Sequence, residues 1–150
     1  MADAVPVPEG FTPLNRGGPY FTQLGPLYQR RDEHDRVVLG LRIGVEHTNM
    51  VGITHGGMLM TFADGALGIN LSVAKGKPRS SVTVHMSTDF LEAVRPGDWL
   101  EAHVRIQRMG SRLNFADCEL RVGDRVCLRA TGVFATINPP GDAPPIPTDG

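Results

Sequence analysis

Residues 49–57 read Asn49-Met50-Val51-Gly52-Ile53-Thr54-His55-Gly56-Gly57, and an apolar run from Met58 to Ala74 follows directly. Met58, Leu59, Met60, Phe62, Ala63, Ala66, Leu67, Ile69, Leu71 and Val73 fill almost every turn that a helix over this run would make. Such a helix is roughly 30 Å long. Apolar on most sides, it is either a membrane span or a core helix. Asp64, Asn70 and the glycines interrupt it, it is short for a clean span, and it lies between strand patterns, so the reading is a core helix and no membrane. Gly76-Lys77-Pro78 marks its end.

Asp64 needs a partner or a cleft, because an unpaired ionised carboxylate inside a core is costly. Either it bonds a neighbouring loop and does nothing more, or it faces a reaction site. The start of the helix favours the second reading. Thr54 is the expected N-cap. The amides of His55, Gly56 and Gly57 then fall where N–H groups have no intrahelical acceptor, and glycines allow close approach. Free N–H groups at the positive end of a helix attract developing negative charge, as an oxyanion hole does. Nine positions separate His55 from Asp64, about 13 Å along a helix axis. If both residues act, two antiparallel helices must each supply half of a site, which implies a dimer with composite sites.

The whole chain of 150 residues suits one domain. Hydrophobic content of 41%, charged content of 21% and a net charge of −1 describe an ordinary globular chain with no electrostatic case for nucleic acid. Cys118 and Cys127 lie in adjacent strand-like segments without Cys-x-x-Cys spacing, so two reduced, buried thiols are expected. The N-terminus shows no basic start or apolar signal core, and a cytoplasmic location is expected. The five histidines show no metal-ligand spacing, and no metal is expected. No phosphate-loop or dinucleotide fingerprint occurs.

Residues 1–19 are rich in Pro and Gly and read as an irregular arm, tacked down by Phe11, Tyr20 and Phe21. The domain proper spans 20–138. Leu24–Arg31 and Arg36–Glu46 read as a hairpin. After the helix, Ser81–Leu91, Trp99–Gln107, Leu113–Val122 and Val126–Asn138 read as four strands in a meander. In the first of these, strict alternation puts Val82, Val84, Met86, Thr88 and Phe90 on one face, and Thr83 with His85 on the other. Residues 139–150 form a Pro/Gly-rich tail expected to be disordered. The class is α+β: an antiparallel sheet wrapped around one long central helix.

The pattern Asn49-x-x-Gly52-x-x-His55-Gly56-Gly57, with Asp64 further along an apolar helix, resembles the hotdog-fold acyl-CoA thioesterases, in particular their phenylacetate-pathway (PaaI-like) branch. The likeness covers Leu24 to Asn138. It implies that Asp64 is nucleophile or general base, and that the Gly56 N–H meets the thioester oxygen. It implies that Asn49 positions water or the carboxylate, that His55 orients nearby groups, and that Thr83 contributes from the partner subunit. Substrate binding would further involve Gly57 and the turn Arg108-Met109-Gly110-Ser111-Arg112, which would meet coenzyme A, with Lys75, Lys77 and Arg79 as a second phosphate contact. Met58, Met60, Phe62 and Leu67 would line the acyl tunnel. Coenzyme A is then part of the substrate and there is no separate cofactor. The partners are the acyl-CoA and a second copy of the chain, in dimers or tetramers. Two alternatives are a non-catalytic acyl-CoA-binding module and a hydratase of the same fold, although the latter's Asp-x-Asn-x-x-His and His-Phe-Pro-Gly strings are missing.

Overall fold

The computed structural model describes residues 6–76 and 80–137. Lys77, Pro78, Arg79, Asn138 and the tail 139–150 lie outside them. In chain order the elements are β1 (Thr12–Pro13), α1 (Gly18–Thr22), β2 (Leu27–Arg31), β3 (Val37–Arg42), a single 3-10 turn (Val45–His47), α2 (Gly56–Lys75), β4 (Ser80–Phe90), β5 (Trp99–Met109), β6 (Leu113–Val122) and β7 (Arg125–Ile137). All neighbouring strands are antiparallel, in the order β1-β2-β3-β5-β6-β7-β4. This is the hotdog arrangement: one sheet and one long helix against it.

Outside β4, whose Val82 and Val84 are exposed, the alternating strand residues point inward, although the second hairpin arm stops at Arg42 and leaves Val45 exposed in the 3-10 turn. Leu39, Leu41, Leu100, Ala102, Ala116, Cys118, Leu120, Leu128 and Phe134 close over Phe62, Ala63, Ala66, Leu67 and Leu71 of α2. Asn70 is buried among them for a reason the apolar run hides. Its Oδ1 accepts from the Val37 N–H at 2.9 Å, and its Nδ2 donates to the carbonyls of Val37 at 2.9 Å and Ala66 at 3.0 Å. The side chain thereby pairs the first residue of β3 with the helix, where both backbone groups would otherwise be buried without a partner. The helix ends on Gly76, whose φ of 64° is the left-handed cap that glycine adopts without strain.

Two expectations fail in the sheet. The last four strands are not one meander, because only β5, β6 and β7 follow in order, and β4 pairs with β7 at the far edge. The chain leaves α2 on that side, and it returns to β5 through the turn at Arg95–Asp98, whose side-chain carboxylate accepts the Arg95 N–H at 2.8 Å. The alternation within β4 also breaks, since the register shifts between Thr83 and His85. A bulge inserts one residue and reverses which face the next side chain takes. Thr83 therefore shares the helix side with Met86 and Phe90 rather than lying opposite them.

The arm expected to be irregular carries β1, paired to β2, and α1. Phe11 packs edge-on against Trp99 with centroids 5.1 Å apart, and Phe21 stacks on Phe62 at 6.5 Å. Tyr20 does not help to anchor it, being 70% exposed.

Candidate active site

The loop before α2 is held by backbone partners at several points. His47 is buried. Its Nδ1 accepts the Gly44 N–H at 2.9 Å, and its Nε2 lies 2.6 Å from the Leu24 carbonyl. The His47 carbonyl in turn accepts the His55 N–H at 2.8 Å. Thr54 donates both its N–H and its hydroxyl to the Val94 carbonyl, at 2.8 and 2.7 Å. Thr54 is thus a clamp between loop and sheet, and the expected N-cap role falls to His55. The His55 Nδ1 accepts the Gly57 N–H at 2.8 Å, so the neutral ring carries its proton on Nε2, directed away from the helix.

This cap divides the amides expected to be free. The Gly57 N–H is taken by His55, whereas the Gly56 N–H has no acceptor among the described residues. Gly56 is backed by Phe90, whose ring would lie 3.2 Å from any Cβ added there. Asn49 closes its own loop: its Oδ1 accepts from Val51 at 3.0 Å and from Ile53 at 3.4 Å. Asn49 and Gly56 nevertheless face one cavity of about 340 Å³, together with Leu59, Phe90 and Val94.

Asp64 lies on the uncovered strip of α2. The Thr83 hydroxyl donates to its Oδ1 at 2.5 Å. The two residues meet within one chain, contrary to the expectation that Thr83 reaches across from a partner. The bulge in β4 turns Thr83 toward the helix, and β4 runs beside the Asp64 face. Two clefts meet at Asp64. One, of about 430 Å³, is lined by Arg16, Gly68, Ser72, Ser81 and Thr83; the other, of about 380 Å³, by Tyr20, Phe21, Met60, Thr61 and Met86. Of the expected tunnel residues only Met60 lines either cleft, while Phe62 and Leu67 are fully buried in the core. Eight positions along α2 separate Gly56 from Asp64, roughly 12 Å, and within one chain they belong to different cavities.

The turn joining β5 and β6 presents Arg108, Ser111 and Arg112 to solvent, and neither arginine has an acidic partner among the described residues. Gly110 donates its N–H to the Leu113 carbonyl at 3.0 Å, and a Cβ there would collide with that oxygen. Lys75, a second expected phosphate contact, is engaged within the chain. Its ammonium donates to Thr136 Oγ1 at 2.6 Å and approaches the Gly110 carbonyl at 3.5 Å, tying the end of α2 to this turn. Among the described residues no three His, Cys, Asp or Glu side chains gather as metal ligands would. Both cysteines are buried and unbridged, and burial pushes their thiols up.

Sequence reading passed over Arg16 and took Tyr20 only for an anchor of the arm, because the Pro/Gly-rich segment has no periodicity to place them beside the clefts. The available signal was an arginine and two aromatics in an otherwise bland segment.

Comparison with known proteins bears on the fold and the family. The family model described as thioesterase superfamily matches residues 51–131. PA0474 of Pseudomonas aeruginosa, a candidate esterase, is 43% identical over 128 residues, covering 85% of this chain and 96% of that protein. The fold is shared with the Escherichia coli PaaI protein of the phenylacetic acid degradation operon, with TM-score 0.63, 21% identity and coverage of 69% and 75% of the two chains. It is also shared with the Bacillus halodurans protein BH2602, solved with CoA, with TM-score 0.69, 22% identity and 82% of each chain covered.

Proposed function

The chain belongs to the thioesterase superfamily and is a thioester hydrolase, and from that premise we propose that its substrates are acyl-CoA thioesters, cleaved to free acid and coenzyme A with Asp64 as the reacting carboxylate. The observation that carries this reading is the position of Asp64: the carboxylate lies where two clefts meet, on a mostly apolar helix, with a hydroxyl hydrogen-bonded to it.

Two routes use the same groups. In the first, a carboxylate oxygen bonds to the thioester carbonyl carbon, the C–S bond breaks, and coenzyme A leaves as a thiolate that takes a proton from water. Water then opens the mixed anhydride and restores Asp64. In the second, Asp64 takes a proton from a water that adds to the carbonyl carbon, and the proton leaves with the thiol. Both put negative charge on the carbonyl oxygen, where the unpartnered Gly56 N–H at the helix N-terminus serves as donor. His55 holds that turn in shape, and Asn49 lines the same cavity as Gly56.

Gly56 and Asp64 of one chain are too far apart to act on one thioester carbonyl, so the working enzyme is a homodimer in which Gly56 of one copy faces Asp64 of the other. The outer edge of β4 supports this. It is 11 residues long, pairs only with β7, and exposes Val82 at 46% and Val84 at 58%. Such an edge is a template for another strand. The Arg108–Arg112 turn then binds the phosphates of coenzyme A.

The test is free-thiol release from a panel of acyl-CoAs by the wild type and by Asp64→Asn. Release by the wild type, reduced at least a hundredfold in the variant with substrate affinity kept, is expected. Undiminished turnover by Asp64→Asn would move the chemistry to another residue, and no release from any acyl-CoA would move the substrate to another thioester.

A further inference from the structure

The two clefts at Asp64 differ in chemistry, and the same short piece of the N-terminal arm roofs both. The larger one runs from Asp64 toward the C-terminal end of α2. It is walled by Ser72 on the helix and by Ser81 and Thr83 on β4, with Ile69 and Phe134 as its apolar lining, and Gly68 keeps the helix side low. Arg16 hangs over it. Its guanidinium approaches Ser72 Oγ at 3.5 Å and has no acidic partner among the described residues. Ser72 is eight positions beyond Asp64, roughly 12 Å along the axis. The same end of the molecule carries Arg108 and Arg112, since Lys75 at the close of α2 is bonded to the strand and turn beside them. The smaller cleft leaves Asp64 in the opposite direction and is mostly apolar: Tyr20 and Phe21 of α1, Met60 of α2 and Met86 of β4. Phe21 is fixed by its stack on Phe62, whereas Tyr20 is exposed at the rim.

We propose that the segment Arg16–Phe21 divides the substrate at Asp64, with Arg16 over a polar channel for the pantetheine arm and its phosphates, and Tyr20 over an apolar pocket for an uncharged acyl group. This rests on the acyl-CoA reading and adds to it a direction of binding, a phosphate-binding residue and a specificity-determining residue. The polar channel offers hydroxyls to the amides of a pantetheine arm, and a guanidinium near its far end meets the negative charge of a phosphate. The apolar pocket offers no cation to an acyl carboxylate. Its two methionines adapt to acyl shape, while Tyr20 sets how far a ring or chain extends.

The experiment compares two thioesters of the same acyl group, one of coenzyme A and one of N-acetylcysteamine, which lacks the phosphates. Wild type, Arg16→Gln and Tyr20→Ala are assayed with an aryl-acetyl and a straight-chain acyl group. For Arg16→Gln the ratio of kcat/KM for the coenzyme A thioester over the truncated one falls about tenfold or more, through KM, the loss of one charge-assisted hydrogen bond. For Tyr20→Ala that ratio holds, and the preference between the two acyl groups shifts severalfold with either leaving group. An Arg16→Gln variant that loses equally on both thioesters, or a Tyr20→Ala variant with unaltered acyl preference, overturns the division. If neither thioester is hydrolysed, calorimetric titration with coenzyme A alone separates the failures. A Kd raised about tenfold in Arg16→Gln keeps the channel and removes the reaction, and a Kd indifferent to Arg16 removes the channel.

Discussion

Gly65 and Gly68 lie nearly one turn apart on α2, and the same substitution has opposite consequences at the two sites. A Cβ at Gly65 would overlap the edge of the Phe21 ring, lying 2.5 Å from Cζ and 2.7 Å from Cδ2. Phe21 cannot simply swing aside, because it is buried and stacked on Phe62, so α1 must lift with it. Overpacking of this kind costs about 1–3 kcal/mol, offset by about 1 kcal/mol of helix propensity that alanine gains over glycine. A Cβ at Gly68 meets only Phe134, at an ordinary 3.7 Å, and keeps the whole propensity gain. Gly68→Ala is therefore the more stable variant by about 1–3 kcal/mol, roughly 2–12 °C in Tm for a chain of this size. Thermal melts followed by circular dichroism, with urea titration in parallel, read the difference. Equal midpoints, or a Gly65→Ala protein that melts above Gly68→Ala, would refute the claim that the helix surrenders propensity at Gly65 to seat the arm.

Asn70→Ala strips the partners from the Val37 N–H and C=O and is expected to cost about 2–4 kcal/mol, measured by urea unfolding; a cost below about 1 kcal/mol would mean that water replaces the amide. Glu101 accepts from His103 at 2.9 Å and from Trp99 Nε1 at 3.2 Å, and its hydrogen bond with His103, opposed by partial burial and aided by the nearby charges of His103 and Arg30, holds its carboxyl below the usual 4.5. A lowered folded pKa gives stability that is present above the unfolded value and is lost as pH falls through the folded one, so acid unfolding between about pH 5 and 3 should be shallower in Glu101→Gln, and superimposable acid titrations would remove the assignment. Paired Val82→Lys and Val84→Lys changes on the free edge of β4 should yield monomers by analytical ultracentrifugation with loss of turnover; a fully active monomer would overturn the composite site.

Periodicity made most of this fold legible. Leu39 and Leu41, Leu100 and Ala102, Cys118 and Leu120 alternate inward as their spacing requires, and the apolar run before Gly76, broken by Asp64 and Asn70, reads as a helix covered on most sides. Strand pairing was less accessible, because alternation says which face a residue takes and nothing about its neighbour. Thus β4 was placed next to β5, although it pairs with β7. The bulge was also hidden: one extra residue at Val84 leaves the composition of β4 unchanged, yet it decides that Thr83 reaches Asp64. The N-cap was misplaced because Thr54 and His55 both have the chemistry to cap. What selects between them is distant, since the Val94 carbonyl claims the Thr54 hydroxyl and frees His55 Nδ1 for Gly57.

That exchange of caps bears on how the site must be assembled. With Thr54 as cap, its hydroxyl would accept the Gly56 or the Gly57 N–H, and the other amide would face the substrate. With His55 as cap, Gly57 is occupied and Gly56 is left as a single donor, in a cavity with Asn49 and Phe90. Asp64, already hydrogen-bonded by Thr83, stands in the clefts farther along the helix. Each chain thus carries a donor without a carboxylate and a carboxylate without a donor, roughly 12 Å apart on one rigid helix. Bending α2 could unite them only by breaking the Asn70 bridge and the core packing of Phe62 and Leu67. A two-fold axis beside the free edge of β4 would unite them with no internal change. Under the proposed reading, then, dimerisation is a condition of the chemistry, because a second copy brings the missing donor to Asp64 while the arm stays seated on Gly65.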